Sequence, residues 1–273
     1  MSMWFFLLIL FIFIYFSYRY AWWKRAVDYR YPRILMYHMV RNAIPGKKFN
    51  SLRVSPEEFE RQIRYLYEKG WRSYTMTEAV AQKDHLPEKS VVITFDDGYQ
   101  DNLLNALPIL QKYGFKATIY LVNDRHERDW SGYRKAKNEG AGLKDEPKLS
   151  DDEVRELLKS GLIEIGAHTL THANLKTLDA IGSHREICGS KKQIEAQFQT
   201  ACQSFAYPFG LYEAKDEKIV ADCSYTNAVT TEVGIADLHK CDPFKIPRIT
   251  VSGKDNFFAF WLKLRTGKRG VKK

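Results

Sequence analysis

The chain has 273 residues, a length that fits one α/β domain of about 250 residues with a short appendage. Its formal net charge of +9 favours an anionic partner such as a membrane surface or a phosphate-bearing lipid. Nucleic acid is not an expected partner, because the basic residues are spread along the chain without the interleaved aromatic residues of a nucleic-acid-binding surface.

The amino-terminal segment predicts a transmembrane helix. Residues 3–16 are an unbroken apolar and aromatic run of about 21 Å, and extension to residue 23 gives a full membrane crossing with an interfacial belt of Tyr20, Trp22 and Trp23. A signal peptide would have a basic start and a small-residue cleavage site, and the segment has neither. We therefore predict a retained single-pass anchor over residues 1–23 in the inner (cytoplasmic) membrane.

The charges around this segment predict its orientation. Arg19, Lys24, Arg25, Arg30 and Arg33 follow the apolar run, whereas only the amino terminus precedes it. The positive-inside rule then places the following domain on the cytoplasmic side. A periplasmic or extracellular domain is the alternative.

Predicted strands and helices alternate through the rest of the chain, which indicates an α/β fold with a mainly parallel sheet. The strands are expected at residues 33–38, 71–75, 91–95, 116–122, 162–167, 204–207, 224–229 and 245–249. The helices are expected at residues 55–70, 77–82, 103–110, 150–158, 181–200 and 213–222.

Two adjacent carboxylates mark the end of the third strand. The apolar residues 91–95 run directly into Asp96, Asp97 and Gly98, and the glycine allows a sharp turn there. Neighbouring carboxylates at the carboxyl end of a strand repel each other unless a cation or a shared proton lies between them. The pattern favours a metal site, and a capping Asp beside a solvated Asp is the alternative.

Two histidines follow another strand about seventy residues later. Residues 162–167 run into His168 and His172, and imidazoles four residues apart on a helical turn can bind one ion together. Such a pair is a weak signal alone. Combined with the Asp-Asp strand end, it predicts a divalent ion with one carboxylate and two imidazole ligands. The open coordination positions of such an ion are typical of a catalytic metal.

These motifs carry a family resemblance. Residues 94–99 (TFDDGY) and 168–172 (HTLTH) resemble the first two motifs of the polysaccharide deacetylases, the NodB-homology or carbohydrate esterase family four. Three further stretches resemble the circularly permuted branch that includes the poly-N-acetylglucosamine deacetylases: residues 33–38, 205–210 and 246–249. The resemblance implies a distorted seven-stranded (β/α) barrel, with a catalytic domain over residues 24–256.

The resemblance also implies residue roles. One divalent metal ion, expected to be zinc, would be bound by Asp97, His168 and His172. Asp96 would be the base that deprotonates the attacking water, and the N–H of Phe209 would stabilise the oxyanion. His38 falls at the general-acid position of the permuted branch, although a single histidine after a strand is more often structural.

One position departs from the family pattern. Many members have an arginine that pairs with the base where this chain has Ala206. Arg248, in the closing strand, would reach the base instead. If it does not, the base is weakly oriented, and a non-catalytic, membrane-anchored sugar-binding module becomes the alternative function.

Together these features predict a metal-dependent N-deacetylase. The expected substrate is an N-acetylhexosamine of a membrane-associated glycolipid or lipopolysaccharide-type glycan. An exported polymer, poly-N-acetylglucosamine or peptidoglycan, is the alternative. The sequence does not indicate which sugar, linkage or oligomeric state applies.

Two segments and the cysteines have less specific patterns. The loop at residues 123–148 is either a solvated insertion or a lid whose Trp130 or Tyr133 stacks on a sugar.

The basic aromatic tail at residues 257–273 is either an interfacial helix against anionic lipid or a final helix packed on the barrel. All four cysteines are expected to be ordinary thiols, with disulfides the alternative: Cys188, Cys202, Cys223 and Cys241.

Overall fold

The structure is a computed structural model that describes residues 3–133, 140 and 142–271. Its helices are Met3–Tyr20 (α1), Pro56–Glu68 (α2), Met76–Ala81 (α3), Leu107–Tyr113 (α4), Asp151–Lys159 (α5), Ala180–Phe198 (α6), Ala214–Asp222 (α7) and Phe257–Thr266 (α8). Its strands are Arg33–Tyr37 (β1), Met39–Val40 (β2), Arg53–Val54 (β3), Arg72–Tyr74 (β4), Ser90–Asp96 (β5), Ala117–Leu121 (β6), Ile163–Ala167 (β7), Ser204–Ala206 (β8), Asn227–Val233 (β9) and Ile246–Thr250 (β10).

Seven parallel strands close into a barrel. They follow the order β1-β10-β9-β8-β7-β6-β5, and β5 pairs back with β1 from Arg33 opposite Val91 to Tyr37 opposite Phe95. The short β4 pairs with the first half of β5, before β6 joins the second half. The predicted parallel (β/α) barrel is therefore confirmed, and all seven carboxyl ends meet at one mouth.

Hydrophobic residues form two layers around the barrel wall. Alternate residues of each strand point inward, so a small cluster that includes Ile34, Val92 and Tyr120 fills the barrel. The neighbouring strand residues point outward, and Leu35 and Phe95 belong to the larger cluster beneath the helices. Burial on both faces explains the continuous apolar runs in the sequence.

The helices begin where their capping residues predict. Ser55 caps α2, with Pro56 in the first turn, and its side chain accepts a hydrogen bond from the N–H of Glu58. Ser150 and Glu153 form a reciprocal capping box at the start of α5. These helices consequently start at fixed points and return the chain to the next strand.

Helix α1 extends away from the barrel with none of its residues buried. It is 18 residues long with a mean hydropathy of 1.7, so it is long and apolar enough for a membrane anchor or a signal sequence. Helix α8 buries Phe260 and Leu264 in the outer core. Its Phe258 instead stacks on Phe16 of α1, with ring centroids 5.8 Å apart. The tail thus includes a packed helix with one face toward the apolar segment, while Lys272 and Lys273 lie outside the described residues.

The expectation that all cysteines are thiols is wrong for one pair. Cys188 of α6 and Cys223 at the end of α7 form a disulfide, with Cα atoms 5.5 Å apart. Cys202 and Cys241 are free thiols. The pair could not be predicted because 35 residues separate its members, and only the packing of α6 against α7 brings them together.

Candidate metal and catalytic site

The candidate site is built on the turn that ends β5. Asp96 is the last strand residue, and Asp97 and Gly98 follow with φ angles of 78° and 73°. A Cβ at Gly98 would lie 2.6 Å from Leu121 Cδ1, so this position requires glycine for both space and backbone conformation. The turn leaves both carboxylates buried at the barrel mouth.

The three predicted metal ligands lie together at this mouth. Asp97 Oδ1 is 3.4 Å from His168 Nε2 and 3.1 Å from His172 Nε2. Their ligand atoms all lie within 4.8 Å of one another, and each of the three residues is buried. One carboxylate and two imidazoles at this spacing can bind a single divalent ion and leave coordination positions for water and substrate.

The histidines do not lie on the helical turn that their spacing predicts. They lie in an irregular loop after β7, in which Thr169 and His172 have φ angles of 67° and 58°. Non-glycine residues seldom adopt this conformation, and such strain of order 1–3 kcal/mol per residue clusters at functional sites. The backbone conformation of this loop, rather than a helical turn, therefore brings His168 and His172 close enough to bind one ion.

The hydrogen bond of His168 fixes how it faces Asp97. Its Nδ1 lies 2.7 Å from the Ala206 carbonyl oxygen, which can only accept, so Nδ1 carries a proton. Nε2 then points at the Asp97 carboxylate, where a proton or a cation must lie between the two groups. Neutral imidazole held in this way by a backbone carbonyl is the usual form of a metal-binding histidine, so the residues fit a divalent ion.

His172 lies between two aromatic rings. Its ring centroid is 4.7 Å from that of Trp130 and 4.4 Å from that of Phe209. Its buried Nδ1 has no hydrogen-bond partner among the described residues. Burial lowers the pKa of His172 more than nearby carboxylates raise it, which favours the neutral imidazole that a metal requires.

The neighbouring Asp96 has a different partner, Arg248 of β10. Two guanidinium nitrogens of Arg248 each donate a hydrogen bond of 2.7 Å to one carboxylate oxygen. Arg248 is itself held by the Thr94 hydroxyl at 3.0 Å and the Thr230 carbonyl at 2.9 Å. Arg248 therefore contacts the predicted base from β10, a strand that is separated from β5 by β1 alone.

This pairing determines the protonation of Asp96. Complete burial alone would raise the pKa of the carboxyl group. The charge and hydrogen bonds of Arg248, with smaller contributions from His168 and His38, outweigh burial and lower the pKa below its ordinary value. Asp97 shows the same competition: burial raises its pKa, and the two imidazoles lower it further than burial raises it. Both carboxylates are consequently ionised at neutral pH.

A cleft of about 640 Å³ opens over these groups and is also lined by His38 and Phe209. His38 follows β1 and is half-buried, with its backbone carbonyl held by Asn102. Phe209 has a φ of 58° in a tight turn. A Cβ at the next residue, Gly210, would lie 2.0 Å from Thr231 Oγ1, so this turn requires glycine. Six of the seven predicted site residues thus border one cleft. The seventh, Arg248, is fully buried and contacts Asp96 from behind the cleft wall.

The described part of the 123–148 loop packs against the site. Trp130 is 1% exposed and lines the cleft beside His172, whereas Tyr133 is 44% exposed. Lys148 donates to the carbonyls of Leu143 and Glu146, and burial lowers its pKa to about 8. The loop is therefore a wall of the cleft; its residues 134–139 and 141 lie outside the described residues.

Sequence reasoning missed two features of the site. The first is the Ala206 carbonyl, since that position was noted only for its missing arginine. The second is the pair of oxygens from Thr94 and Thr230 that orients Arg248. Backbone carbonyls are common to all residues, so no side-chain pattern could have indicated Ala206 or Thr230. Thr94, by contrast, precedes Asp96 by two residues on the same strand face.

Comparison with known proteins gives consistent matches. A family model described as polysaccharide deacetylase matches residues 83–228. The chain is 34% identical over 219 residues to YxkH of Bacillus subtilis, a protein named for the same family, which covers 79% of this chain and 70% of that protein. It is 26% identical over 249 residues to a poly-β-1,6-N-acetyl-D-glucosamine N-deacetylase of Staphylococcus aureus, covering 84% and 81%.

A solved structure of deacetylase PplD from Streptococcus pyogenes, in complex with acetate, has the same fold. It superposes with a TM-score of 0.69 at 26% identity, covering 84% of this chain and 94% of PplD. The similarity therefore extends over the whole barrel.

Proposed function

Because the chain belongs to the polysaccharide deacetylase family, whose members hydrolyse carbon–nitrogen bonds other than peptide bonds, we propose that it is a metal-dependent N-deacetylase of N-acetylhexosamine in a membrane-associated glycolipid or lipopolysaccharide-type glycan. The observation that carries this proposal is the meeting of two groups at one mouth. One is the ligand set of Asp97, His168 and His172, and the other is the ion pair of Asp96 with Arg248.

The proposed roles follow from these positions. A divalent ion held by the three ligands, with zinc the expected metal, would polarise the acetyl oxygen and lower the pKa of a water molecule. Asp96 takes the proton of the attacking water, and Arg248 holds its carboxylate in place. The Phe209 N–H donates to the developing oxyanion. His38 donates a proton to the amine as the C–N bond breaks, which leaves acetate and a free amino sugar.

Arg248 also bears on the non-catalytic alternative. That alternative depended on a base left without its arginine, because Ala206 replaces the family residue. Arg248 reaches the same carboxylate from another strand with two hydrogen bonds, so the chain retains a paired and oriented base. The site therefore supports hydrolysis better than sugar binding alone.

The membrane part of the proposal depends on α1 and α8. We propose residues 1–23 as an anchor in the inner (cytoplasmic) membrane, residues 24–256 as the catalytic domain and residues 257–273 as a basic tail whose helix α8 completes the outer layer. The stacking of Phe258 on Phe16 and of Phe258 with Trp261 gives α8 an aromatic face beside the apolar helix. A domain held in this way would act on glycans at the membrane surface.

An exported polymer such as poly-N-acetylglucosamine is a second candidate substrate, and two observations favour it. The Cys188–Cys223 disulfide is typical of an oxidising compartment outside the cytoplasm. The Staphylococcus aureus relative is named for deacetylation of this polymer. The basic residues that follow α1 favour a cytoplasmic domain instead. The side of the membrane on which the catalytic domain lies therefore distinguishes the glycolipid substrate from the exported polymer.

The activity is tested by acetate release. We expect the metal-loaded protein to release acetate from N-acetylglucosamine glycans with about one divalent ion bound, and the Asp96→Asn variant to keep the ion but release no acetate above background. Metal content and acetate are measured on the same samples. An active Asp96→Asn variant, or equal acetate release after complete metal removal, would contradict the proposed mechanism.

The side of the membrane is tested with two reporters fused after Lys273, one active only in the cytoplasm and the other only after export. A fusion after residue 23 serves as the matched control for the anchor alone. Cytoplasmic activity supports a lipid-linked substrate and excludes finished polymers. Exported activity makes the polymer the first candidate.

A further inference from the structure

The catalytic cleft has a second, charged end. It continues from the metal ligands along Thr250 and Ser252 to Lys254, Lys263 and Arg269, which also line it. We call these three basic residues the α8 subsite, because they lie just before, within and just after that helix. None of them belongs to the proposed catalytic machinery.

A buried carboxylate fixes the geometry of this subsite. The Asp255 side chain is 1% exposed and accepts hydrogen bonds from Lys263 and, at 3.1 Å, from Arg269. Lys263 also donates to the Thr250 carbonyl at 2.7 Å, and the Ser252 N–H donates to Asp255 at 2.9 Å. The two cations are consequently held in place against the cleft wall before any ligand binds.

Positive charge remains after this pairing. The subsite has three basic side chains against one carboxylate, which leaves a surplus of two positive charges. Within the described part of the chain, Lys254 is exposed and has no acidic partner, and only one guanidinium nitrogen of Arg269 donates to a side chain. The remaining guanidinium N–H groups can therefore bind an anion in the cleft.

The charged end lies beside the end of the apolar helix. Asn256 Nδ2 donates to the Tyr20 hydroxyl at 3.3 Å, and the Phe258 ring centroid is 5.2 Å from that of Tyr20. Lys24 Nζ approaches the carbonyl of Gly270, next to Arg269, at 3.5 Å. With α1 in a bilayer, the α8 subsite would face the headgroup region, while the metal ligands lie farther along the cleft.

We propose that the α8 subsite binds a phosphate group of the substrate, and that the deacetylated sugar is joined through this phosphate to a membrane lipid. Arginine and lysine donors match phosphate oxygens in charge and geometry, and a phosphate beside the anchor is where a lipid-linked sugar would carry it. This inference rests on the proposed deacetylase function and specifies its substrate class.

The experiment compares two substrates, an N-acetylglucosaminyl phosphate lipid and a neutral β-1,6-linked N-acetylglucosamine oligomer. Removing one charge-assisted hydrogen bond should raise KM for the phosphate lipid about tenfold in each of Lys254→Gln and Arg269→Gln. We expect kcat, and both constants for the neutral oligomer, to stay unchanged. Lys240→Gln, an exposed lysine outside the cleft, is the matched control. Unchanged KM for the lipid, or equal changes with both substrates, would overturn the subsite.

Two further measurements separate the possible failures. Inorganic pyrophosphate is titrated into the full-length protein in detergent, and we expect both variants to bind it more weakly than wild type does. If wild type binds pyrophosphate in this way but releases no acetate, the deacetylase function fails and the anion-binding subsite stands. Phosphatidylglycerol vesicles test the source of the phosphate. Inhibition by these vesicles that is lost in both variants would assign the subsite to bulk headgroups and overturn the substrate assignment. No such inhibition supports it.

Discussion

Asp96 and Asp97 are adjacent in the chain and equally buried, but the fold gives them different partners. Asp96 receives a permanent cation from the chain itself, since Arg248 donates two hydrogen bonds to it. Asp97 faces two imidazoles, one of which is fixed by the Ala206 carbonyl so that its other nitrogen points at the carboxylate. Asp96 is therefore neutralised by folding, whereas Asp97 needs an added proton or metal ion.

The comparison shows how the fold can give two adjacent residues of one type different surroundings. A carboxylate with a bidentate arginine is oriented and keeps its lone pairs near one plane, which suits proton transfer. A carboxylate among neutral imidazoles matches the ligand set of a divalent ion. The strand end supplies both because successive residues there leave the strand in different directions, with Asp97 in the left-handed region.

Loss of a metal ligand should give the largest effect and would test the comparison directly. In Asp97→Asn the ion loses its only charged ligand, so bound metal should disappear and acetate release should fall by on the order of 10³-fold or more. Elemental analysis and acetate assays measure the two quantities. Asp96→Asn is the matched control, since it should retain the metal. If both variants lose the ion equally, the two carboxylates are not distinct.

Replacement of Arg248 should give the next largest effect. In Arg248→Met the buried Asp96 loses its counter-charge, which costs about 3–5 kcal/mol of stability, and its misplaced carboxylate should reduce kcat/KM by at least about 10²-fold. Chemical denaturation and steady-state kinetics measure these changes, with Arg248→Lys as the charge-retaining control.

The same variant predicts a change in pH dependence. The depressed pKa of Asp96 gives stability that is present above the ordinary carboxyl pKa and is lost as pH falls through the native pKa. Without Arg248 burial is uncompensated and the pKa rises, so the acid limb of kcat/KM should move to higher pH. An acid limb that stays in place would show that Asp96 is not the titrating base.

His38 provides a sharper test of the proton donor. In His38→Gln the amine leaves without a proton, so amide hydrolysis should fall by about 10²-fold. Hydrolysis of 4-nitrophenyl acetate should change much less, because nitrophenolate leaves without protonation. Assays of both substrates on one preparation measure the ratio. Equal losses on amide and ester would assign His38 a structural role.

The Cys188–Cys223 bond should have the smallest effect on activity. It closes a 35-residue separation between α6 and α7, so Cys188→Ser should lower stability by about 3–4 kcal/mol in the chain-entropy view and leave kcat unchanged. Thermal unfolding with and without reductant measures this, with Cys202→Ser as control. If reductant leaves the unfolding temperature of wild type unchanged, the two cysteines are reduced. They would then be the ordinary thiols that the sequence predicts.

Much of the fold and of the candidate site could be predicted from local patterns. The run at residues 91–95 followed by two carboxylates indicated a buried strand with a polar end, and the capping residues placed the starts of α2 and α5. Alternation of strands and helices then implied the parallel barrel, in which all carboxyl ends share one mouth. These features depend on residues close together in the chain, where side-chain type and spacing determine conformation.

Only the tertiary structure decided the features that join distant residues. The left-handed loop of His172, the Ala206 carbonyl that fixes His168, and the disulfide all depend on neighbours from other strands or helices. The sequence by itself determined which groups are present and at which strand ends they lie. Barrel closure determined their partners, because pairing of β5 with β1 and of β10 with β1 brings Arg248 to Asp96 across 152 residues of chain.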